Sequence, residues 1–260
     1  MHVDHLTFAV GSAGLKGESK RLGALLGERF RDGGFHPRFG TQNHILPLAD
    51  DRYLEVVEVL EHPAAEKAPF GQAVRSRSEM GGGWLGWVVS VDDLAPFEDR
   101  LDRQAVHGSR HFPDGRLLEW DQIGVKGLIA DPQLPYFLKW DSDPSVLPSA
   151  LAGTIRLEKI EIAGDRSRVE DWLGIQIGDE FDGVRIKFTR PAGQPGIQGN
   201  VPGAMAHDLN YENSFVRGRG IPNFINCINN RVHRRIEANR IVSTRNIIVN
   251  TRRYTDDLNP

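Results

Sequence analysis

The order strand, helix, three strands occurs twice within about the first 140 residues. In the first unit a β-rich run at 3–10 precedes a helix, in which Leu22, Leu25 and Leu26 lie at helical spacing. Each unit would expose one face of a curved sheet, and pairing the two units buries both faces. The sequence therefore predicts an α+β fold of paired βαβββ modules, about 1–80 and 81–150, which form a cupped mixed β-sheet with helices outside.

Turn signals and hydrophobic spacing set the boundaries within these units. Gly27 is the predicted C-cap of the first helix, and the Gly-rich residues 33–41 are predicted to be a loop. Residues 61–80 are predicted to be partly helical, with a buried face of Phe70, Ala73 and Val74. The other strands are predicted at 43–48, 53–60, 84–91, 109–112, 116–122 and 136–140.

A third unit begins after residue 150 and is incomplete. Its pattern predicts a strand at 155–163, a helix at 167–173 and a strand at 184–188. The composition then changes: residues 1–199 contain one asparagine, whereas residues 200–260 contain eleven. We interpret 151–199 as a partial third module and 200–260 as an irregular Asn/Arg-rich tail, poorly ordered or accessory, with weak β-rich runs at 224–232 and 240–249.

Composition excludes several classes of protein. The single cysteine, Cys227, rules out an internal disulfide framework and cysteine-based zinc sites. No apolar run approaches the roughly 18 residues of a membrane span, and no signal peptide is visible. We therefore expect a cytoplasmic protein with no membrane partner. No recognition module surrounds the arginines of the tail, so nucleic acid is not an expected partner.

His5 and Glu55 lie on strands that the repeated unit makes neighbours. An imidazole and a carboxylate that converge on one concave surface supply two of the ligands of a divalent metal site. Without a metal, Glu55 could take a proton from the carbon next to a carbonyl group, with His5 orienting it. A hydrogen-bonded His–Glu contact retained for packing is the alternative interpretation.

Short motifs in both units occur in an order that is typical of one superfamily. The first unit contains Asp4-His5-Leu6, His36-Pro37, Gly40-Thr41-Gln42-Asn43 and Tyr53-Leu54-Glu55. The second contains Gly86-Trp87, Pro113-Asp114-Gly115-Arg116-Leu117-Leu118 with Trp120, and Leu134-Pro135-Tyr136-Phe137 with Trp140. Over residues 1 to about 190 the chain resembles the glyoxalase-like branch of the vicinal oxygen chelate superfamily.

The resemblance implies a site in which each module gives a His from its first strand and a Glu from its fourth. Together they hold a divalent ion such as Zn, Ni, Mn or Fe, which substrate oxygens chelate during lyase, isomerase or dioxygenase chemistry. His5 and Glu55 match the first module. Gly86 and Leu138 take the corresponding places in the second module and cannot ligate. His36, His44, His107 and His111 are the candidates for the missing ligands.

Five further residues are candidates for binding substrate. They are polar side chains near the predicted cup or large aromatic side chains in its strands: Asn43, His36, Trp87, Arg116 and Trp120. The competing interpretations are that His36 forms a turn, that the tryptophans are core residues, and that the hairpin carrying Arg110, His111 and Arg116 is solvated. Asn43 and His44 would face opposite sides of their strand.

Two hypotheses for function follow from these residues. In the first, a glyoxalase-like protein binds and converts a small carbonyl or oxygen-chelating substrate through His5 and Glu55, with a divalent metal as an option. In the second, a metal-free protein of the same fold binds or sequesters a small molecule. The modules could pair within one chain or between chains, so a homodimer is a further possibility.

Overall fold

The computed structural model describes residues 1–112, 114–151, 153–190 and 196–197, and the backbone of 215–218. Eight strands form one closed mixed sheet in the order β1-β4-β3-β2-β6-β7-β8-β5. They are β1 (His2–Ala9), β2 (Arg31–His36), β3 (Thr41–Pro47), β4 (Tyr53–Val59), β5 (Gly83–Ser90), β6 (Val106–His111), β7 (Leu117–Ile123) and β8 (Tyr136–Trp140). The paired βαβββ modules are confirmed.

Both modules come from one chain and join along two seams. At one seam β1 and β5 pair antiparallel. At the other, β2 meets β6 through the pair Phe35 and His111. Within each module the first strand runs parallel to the fourth, β1 with β4 and β5 with β8. The interior is therefore completed without a second chain.

The predicted loop over 33–41 is wrong at 33–36, which belong to β2, and at Thr41, which begins β3, whereas 37–40 form a turn as predicted. The glycines of β2 have low strand propensity, but a Cβ at Gly33 would collide with side chains and a Cβ at Gly34 with the backbone of β6. A Cβ on Gly33 would lie 2.1 Å from Asn43 Oδ1. A Cβ on Gly34, whose φ is +125°, would lie 1.9 Å from the carbonyl oxygen of His111. Residues that suggest a loop in the sequence thus allow the second seam to close.

The helices lie in the connections between strands. They are α1 (Gly14–Leu26), α2 (Pro63–Lys67), α3 (Pro69–Glu79), α4 (Ala95–Leu101), α5 (Gly127–Ala130) and α6 (Arg166–Leu173). Gly27 ends α1 in the left-handed conformation, as predicted. The predicted buried face of α3, Phe70, Ala73 and Val74, packs against Ala9 and Val57 in one apolar cluster.

A second sheet packs against the outside of the closed sheet. It consists of β9 (Ile155–Ala163), β10 (Glu180–Phe181), β11 (Val184–Thr189), β12 (Gly196–Ile197) and β13 (Phe215–Gly218), with β9 in its centre. Leu157, Ile160 and Trp172 share one core with Leu6 and Trp87 of the closed sheet. This contact explains why β1 is buried on both faces.

The three elements predicted for the third unit, at 155–163, 167–173 and 184–188, are present as β9, α6 and β11. The β-rich runs at 224–232 and 240–249 lie outside the described residues. Among the described residues, no helix is long and apolar enough to cross a membrane.

We expect Gly34→Ala to destabilise the protein far more than Gly27→Ala. Both substitutions place an alanine in a left-handed conformation, which costs roughly 1–2 kcal/mol. Gly27 has open space around it, whereas a Cβ on Gly34 collides with the second seam. The free energy of unfolding in urea should therefore fall by at least about 2 kcal/mol more for Gly34→Ala. Equal losses in the two variants would contradict this account of the seam.

Candidate active site

A narrow cavity opens into the interior of the closed sheet. The cavity is partly open to solvent. One part of its wall is polar and the other is aromatic and apolar. The lining side chains are His5, His36, Phe39, Asn43, Tyr53, Glu55, Phe70, Arg110, Leu118, Trp120, Gln122, Tyr136, Leu138, Trp140 and Pro148.

His5 and Glu55 meet inside this cavity. The parallel register of β1 and β4 places Thr7 opposite Glu55, and His5 Nε2 lies 4.0 Å from Glu55 Oε2. Two hydrogen bonds fix the carboxylate: the Thr7 hydroxyl donates to Oε2 at 3.0 Å and Asn43 Nδ2 donates to Oε1 at 2.6 Å. Glu55 and His5 are both buried, so their charges are only weakly screened by solvent.

Asp4 is a site residue that the sequence analysis did not propose. Strict alternation along β1 would turn it away from His5, but the register with β5 shifts between Val3 and His5, which makes Asp4 a bulged residue. Its Oδ1 lies 2.7 Å from His5 Nδ1, and Trp140 Nε1 donates to its Oδ2 at 3.0 Å. Since a carboxylate only accepts, Nδ1 carries a proton and Nε2 of a neutral His5 is free to accept one.

The second module places a tyrosine where the first has Glu55. The two parallel pairs have the same offset, because Thr7 lies opposite Glu55 and Val88 lies opposite Tyr136. The same difference in residue number that relates His5 to Gly86 therefore relates Glu55 to Tyr136. This corrects the predicted match of Glu55 to Leu138. The Tyr136 hydroxyl lies 3.4 Å from His5 Nε2. Burial, followed by the charges of Glu55 and Asp4, raises the pKa of Tyr136 well above its usual value.

Three of the predicted substrate-binding residues line the cavity: Asn43, His36 and Trp120. His36 Nδ1 lies 2.8 Å from the Thr41 hydroxyl, and the imidazole packs edge-on against Trp120. Burial, followed by the charges of Arg110 and His5, lowers the pKa of His36 from 6.5 to about 3. His36 is therefore a neutral hydrogen-bonding group near pH 7.

The other two predicted residues lie elsewhere. Trp87 points to the core beneath the second sheet, where its Nε1 donates to the carbonyl of Gln133 at 2.9 Å. The side chain of Arg116 is 60% exposed and pairs with Asp114 at 2.8 Å. Trp87 alternates onto the outer face of β5, and Arg116 precedes β7 in the hairpin, so neither can reach the cavity.

Arg110 was expected in a solvated hairpin, but it is only 2% exposed and lines the cavity. Its Nη1 lies 3.4 Å from Asn43 Oδ1, and the guanidinium lies 4.9 Å from the centre of the Phe112 ring. Burial lowers the pKa of Arg110, and the nearby Tyr53 and Glu55 oppose that shift. No sequence signal separates it from Arg116, because its position depends on the seam between β2 and β6.

The cavity does not fit a resident divalent ion. His5 and Glu55 are two donors, and both Glu55 oxygens already accept hydrogen bonds, whereas catalytic zinc sites have three protein ligands. Among the described residues, the one group of three His or carboxylate ligand atoms within 4.8 Å of one another is His107, Asp121 and Asp141. This group lies outside the cavity, and Asp141 is already paired with Lys139.

The other histidines proposed as replacement ligands do not line the cavity. His44 Nδ1 lies 2.9 Å from the Ser19 hydroxyl on α1, on the face of β3 opposite to Asn43 as expected. His107 pairs with Glu119 and Asp121, and His111 is exposed. His36 lines the cavity but does not complete a three-residue ligand group with His5 and Glu55.

Two βαβββ modules closed around an internal cavity define the vicinal oxygen chelate class. The family model of the glyoxalase-like domain matches residues 3–174, and the chain belongs to that family. No curated protein matches the sequence.

Three solved structures are similar to this chain, and the first of them supports the fold alone. A hypothetical protein from Staphylococcus aureus is 16% identical with a TM-score of 0.53, covering 72% of this chain and 86% of its own. A methylmalonyl-CoA epimerase from Streptomyces coelicolor is 14% identical with a TM-score of 0.37, covering 54% and 96%. One from Mycobacterium tuberculosis is 16% identical with a TM-score of 0.38, covering 56% and 90%.

We expect His36 to make stability depend on pH. Its folded pKa of about 3 lies below the ordinary 6.5, so the unfolded chain binds a proton that the folded protein excludes between these values. Its contribution to stability is therefore lost as the pH falls below about 6.5. In His36→Gln the slope of unfolding free energy against pH should be smaller by up to about 1.4 kcal/mol per unit between about pH 4 and 6. Parallel slopes in urea titrations would contradict this.

Untagged protein equilibrated with Zn²⁺, Ni²⁺, Mn²⁺ or Fe²⁺ and then desalted should retain well below one equivalent of metal, because the cavity supplies only two donors. Elemental analysis provides the measurement. Any residual metal should be lost in His107→Ala, which removes the outer group. One equivalent that is lost in both His5→Ala and Glu55→Ala would show instead that the cavity is a metal site.

Proposed function

We propose that this family member is an isomerase that moves a proton on a small hydroxycarbonyl compound without a metal. The observation that carries the proposal is the pair of buried proton acceptors, Glu55 Oε2 and His5 Nε2, which lie 4.0 Å apart on one cavity wall. Asp4 supports the assignment because it fixes the histidine proton on Nδ1. General acid–base catalysis by such groups contributes about 10²–10⁴-fold to a rate.

In the proposed step Glu55 removes the proton from the carbon that bears the hydroxyl group, next to the carbonyl. The electron pair of that bond moves toward the carbonyl oxygen and gives an enediolate. His5 Nε2 takes the hydroxyl proton and passes it to the other oxygen, while Glu55 returns its proton to the neighbouring carbon. The carbonyl and hydroxyl groups have then exchanged places, with no oxidant or reductant.

The arrangement of the two bases favours this shift over inversion at one carbon. Inversion requires a proton donor and an acceptor on opposite faces of the reacting carbon, whereas Glu55 and His5 share one side of the cavity. Tyr136 supports the same chemistry, because a neutral hydroxyl 3.4 Å from His5 Nε2 can donate to a developing oxyanion.

A metal-free binding protein is the second candidate function. It is favoured by the aromatic wall, where Phe39 packs against Phe70 at a centroid distance of 5.8 Å and against Trp120 at 6.2 Å. Such a wall would hold a small apolar or aromatic molecule, while the Glu55 carboxylate stays hydrogen-bonded to Asn43 and Thr7. A binder needs the cavity but not the proton acceptors.

We expect the protein to accelerate C–H exchange of dihydroxyacetone or hydroxypyruvate in D2O, followed by proton NMR. Glu55→Gln should lower the rate at least about 100-fold because the amide cannot accept the proton. His5→Gln should slow isomer formation by a similar factor. Glu61→Gln is the matched control, since Glu61 is exposed beyond the end of β4, and it should leave the rate unchanged. No protein-dependent exchange with either compound would overturn the isomerase proposal and leave the binder.

A further inference from the structure

We infer that Arg110 is a carboxylate-binding residue and that the ligand is a small hydroxy- or oxo-carboxylate. The identity of the reaction rests on the proposed function, but the carboxylate subsite rests on Arg110 alone. Arg110 is 2% exposed, lines the cavity and comes from the second module. Glu55, in contrast, comes from the first module, so the two groups face the cavity from different strands.

The hydrogen bonds of Arg110 leave one edge of the guanidinium free. Nη1 is directed at Asn43 Oδ1, while Nε and Nη2 are buried and have no hydrogen-bond partner among the described residues. Nε and Nη2 share the side of the guanidinium that presents two parallel N–H groups. This is the geometry with which arginine binds both oxygens of a carboxylate.

A purely structural role does not account for this free edge. A buried cation is costly unless it is paired, and arginine is rarely buried without partners. Phe112 covers the guanidinium at 4.9 Å, which stabilises its charge but accepts no hydrogen bond from Nε or Nη2. Of the nearby carboxylates, Glu55 accepts instead from Asn43 and Thr7. A ligand carboxylate would supply the two missing acceptors.

The test compares pyruvate with pyruvamide, which has the same shape without the negative charge. In calorimetric or NMR titrations the wild-type protein should bind pyruvate about 10- to 100-fold more tightly, as expected for a charge-assisted bidentate contact. Arg110→Met should remove this preference. Arg116→Met, an exposed arginine in the same hairpin, should retain it. Equal affinities in the wild type, or a preference that survives in Arg110→Met, would overturn the inference.

Further variants separate folding and catalysis from binding. If circular dichroism shows that Arg110→Met does not fold, Arg110→Lys is used instead. Lysine keeps the charge but lacks the two parallel N–H groups, so the preference for pyruvate over pyruvamide should fall several-fold. An unchanged preference would count against the subsite. Glu55→Gln should keep the preference for pyruvate while losing exchange activity. A carboxylate preference without any exchange in the wild type would leave the subsite standing and refute the proposed reaction.

Discussion

The closure of the sheet between β2 and β6 determines which side chains can meet inside it. At this seam the backbone of His111 lies close to Gly34, and the side chains of Asn43 and Arg110 lie close to Gly33, so a side chain at either glycine would collide with them. Once it closes, Arg110 on β6 lies beside Asn43 on β3, and Asn43 in turn holds Glu55. The candidate site is thus built across the seam, and a glycine pair without chemical function of its own is a condition for its chemistry.

The charges of the site are tolerated because each is held by neighbours. Asp4 accepts from Trp140 and contacts His5, and Glu55 accepts from Thr7 and Asn43. Such bonds offset much of the cost of removing a carboxylate from water. Arg110 is the exception, since two of its nitrogens have no partner among the described residues. The carboxylates of this network are hydrogen-bonded, so the unpartnered nitrogens of Arg110 indicate where a bound ligand would supply acceptors.

The sequence was sufficient for the architecture and for the central pair, because both depend on short-range signals. Strand and helix patterns repeat with recognisable spacing, and His5 and Glu55 fall on the first and fourth strands of one unit. Asp4 was missed because a bulge breaks the alternation on which the prediction depends. Trp87 was placed in the site because a tryptophan in a strand gives no indication of which face it occupies. Arg110 and Arg116 look alike in sequence, and only the seam between distant strands distinguishes them.

The two modules have the same fold but supply different chemistry. In the first, His5 and Glu55 are the proposed proton acceptors. In the second, the equivalent positions are Gly86 and Tyr136, and Arg110 adds a positive charge from the facing side. A symmetric four-ligand arrangement cannot form from such unequal halves. Because the two modules place different side chains in the cavity, its walls differ: the proposed proton acceptors lie on one side and a cation lies on the other. An asymmetric ligand would meet different groups in its two orientations, and such a difference lets a small site gain specificity without enclosing a large substrate.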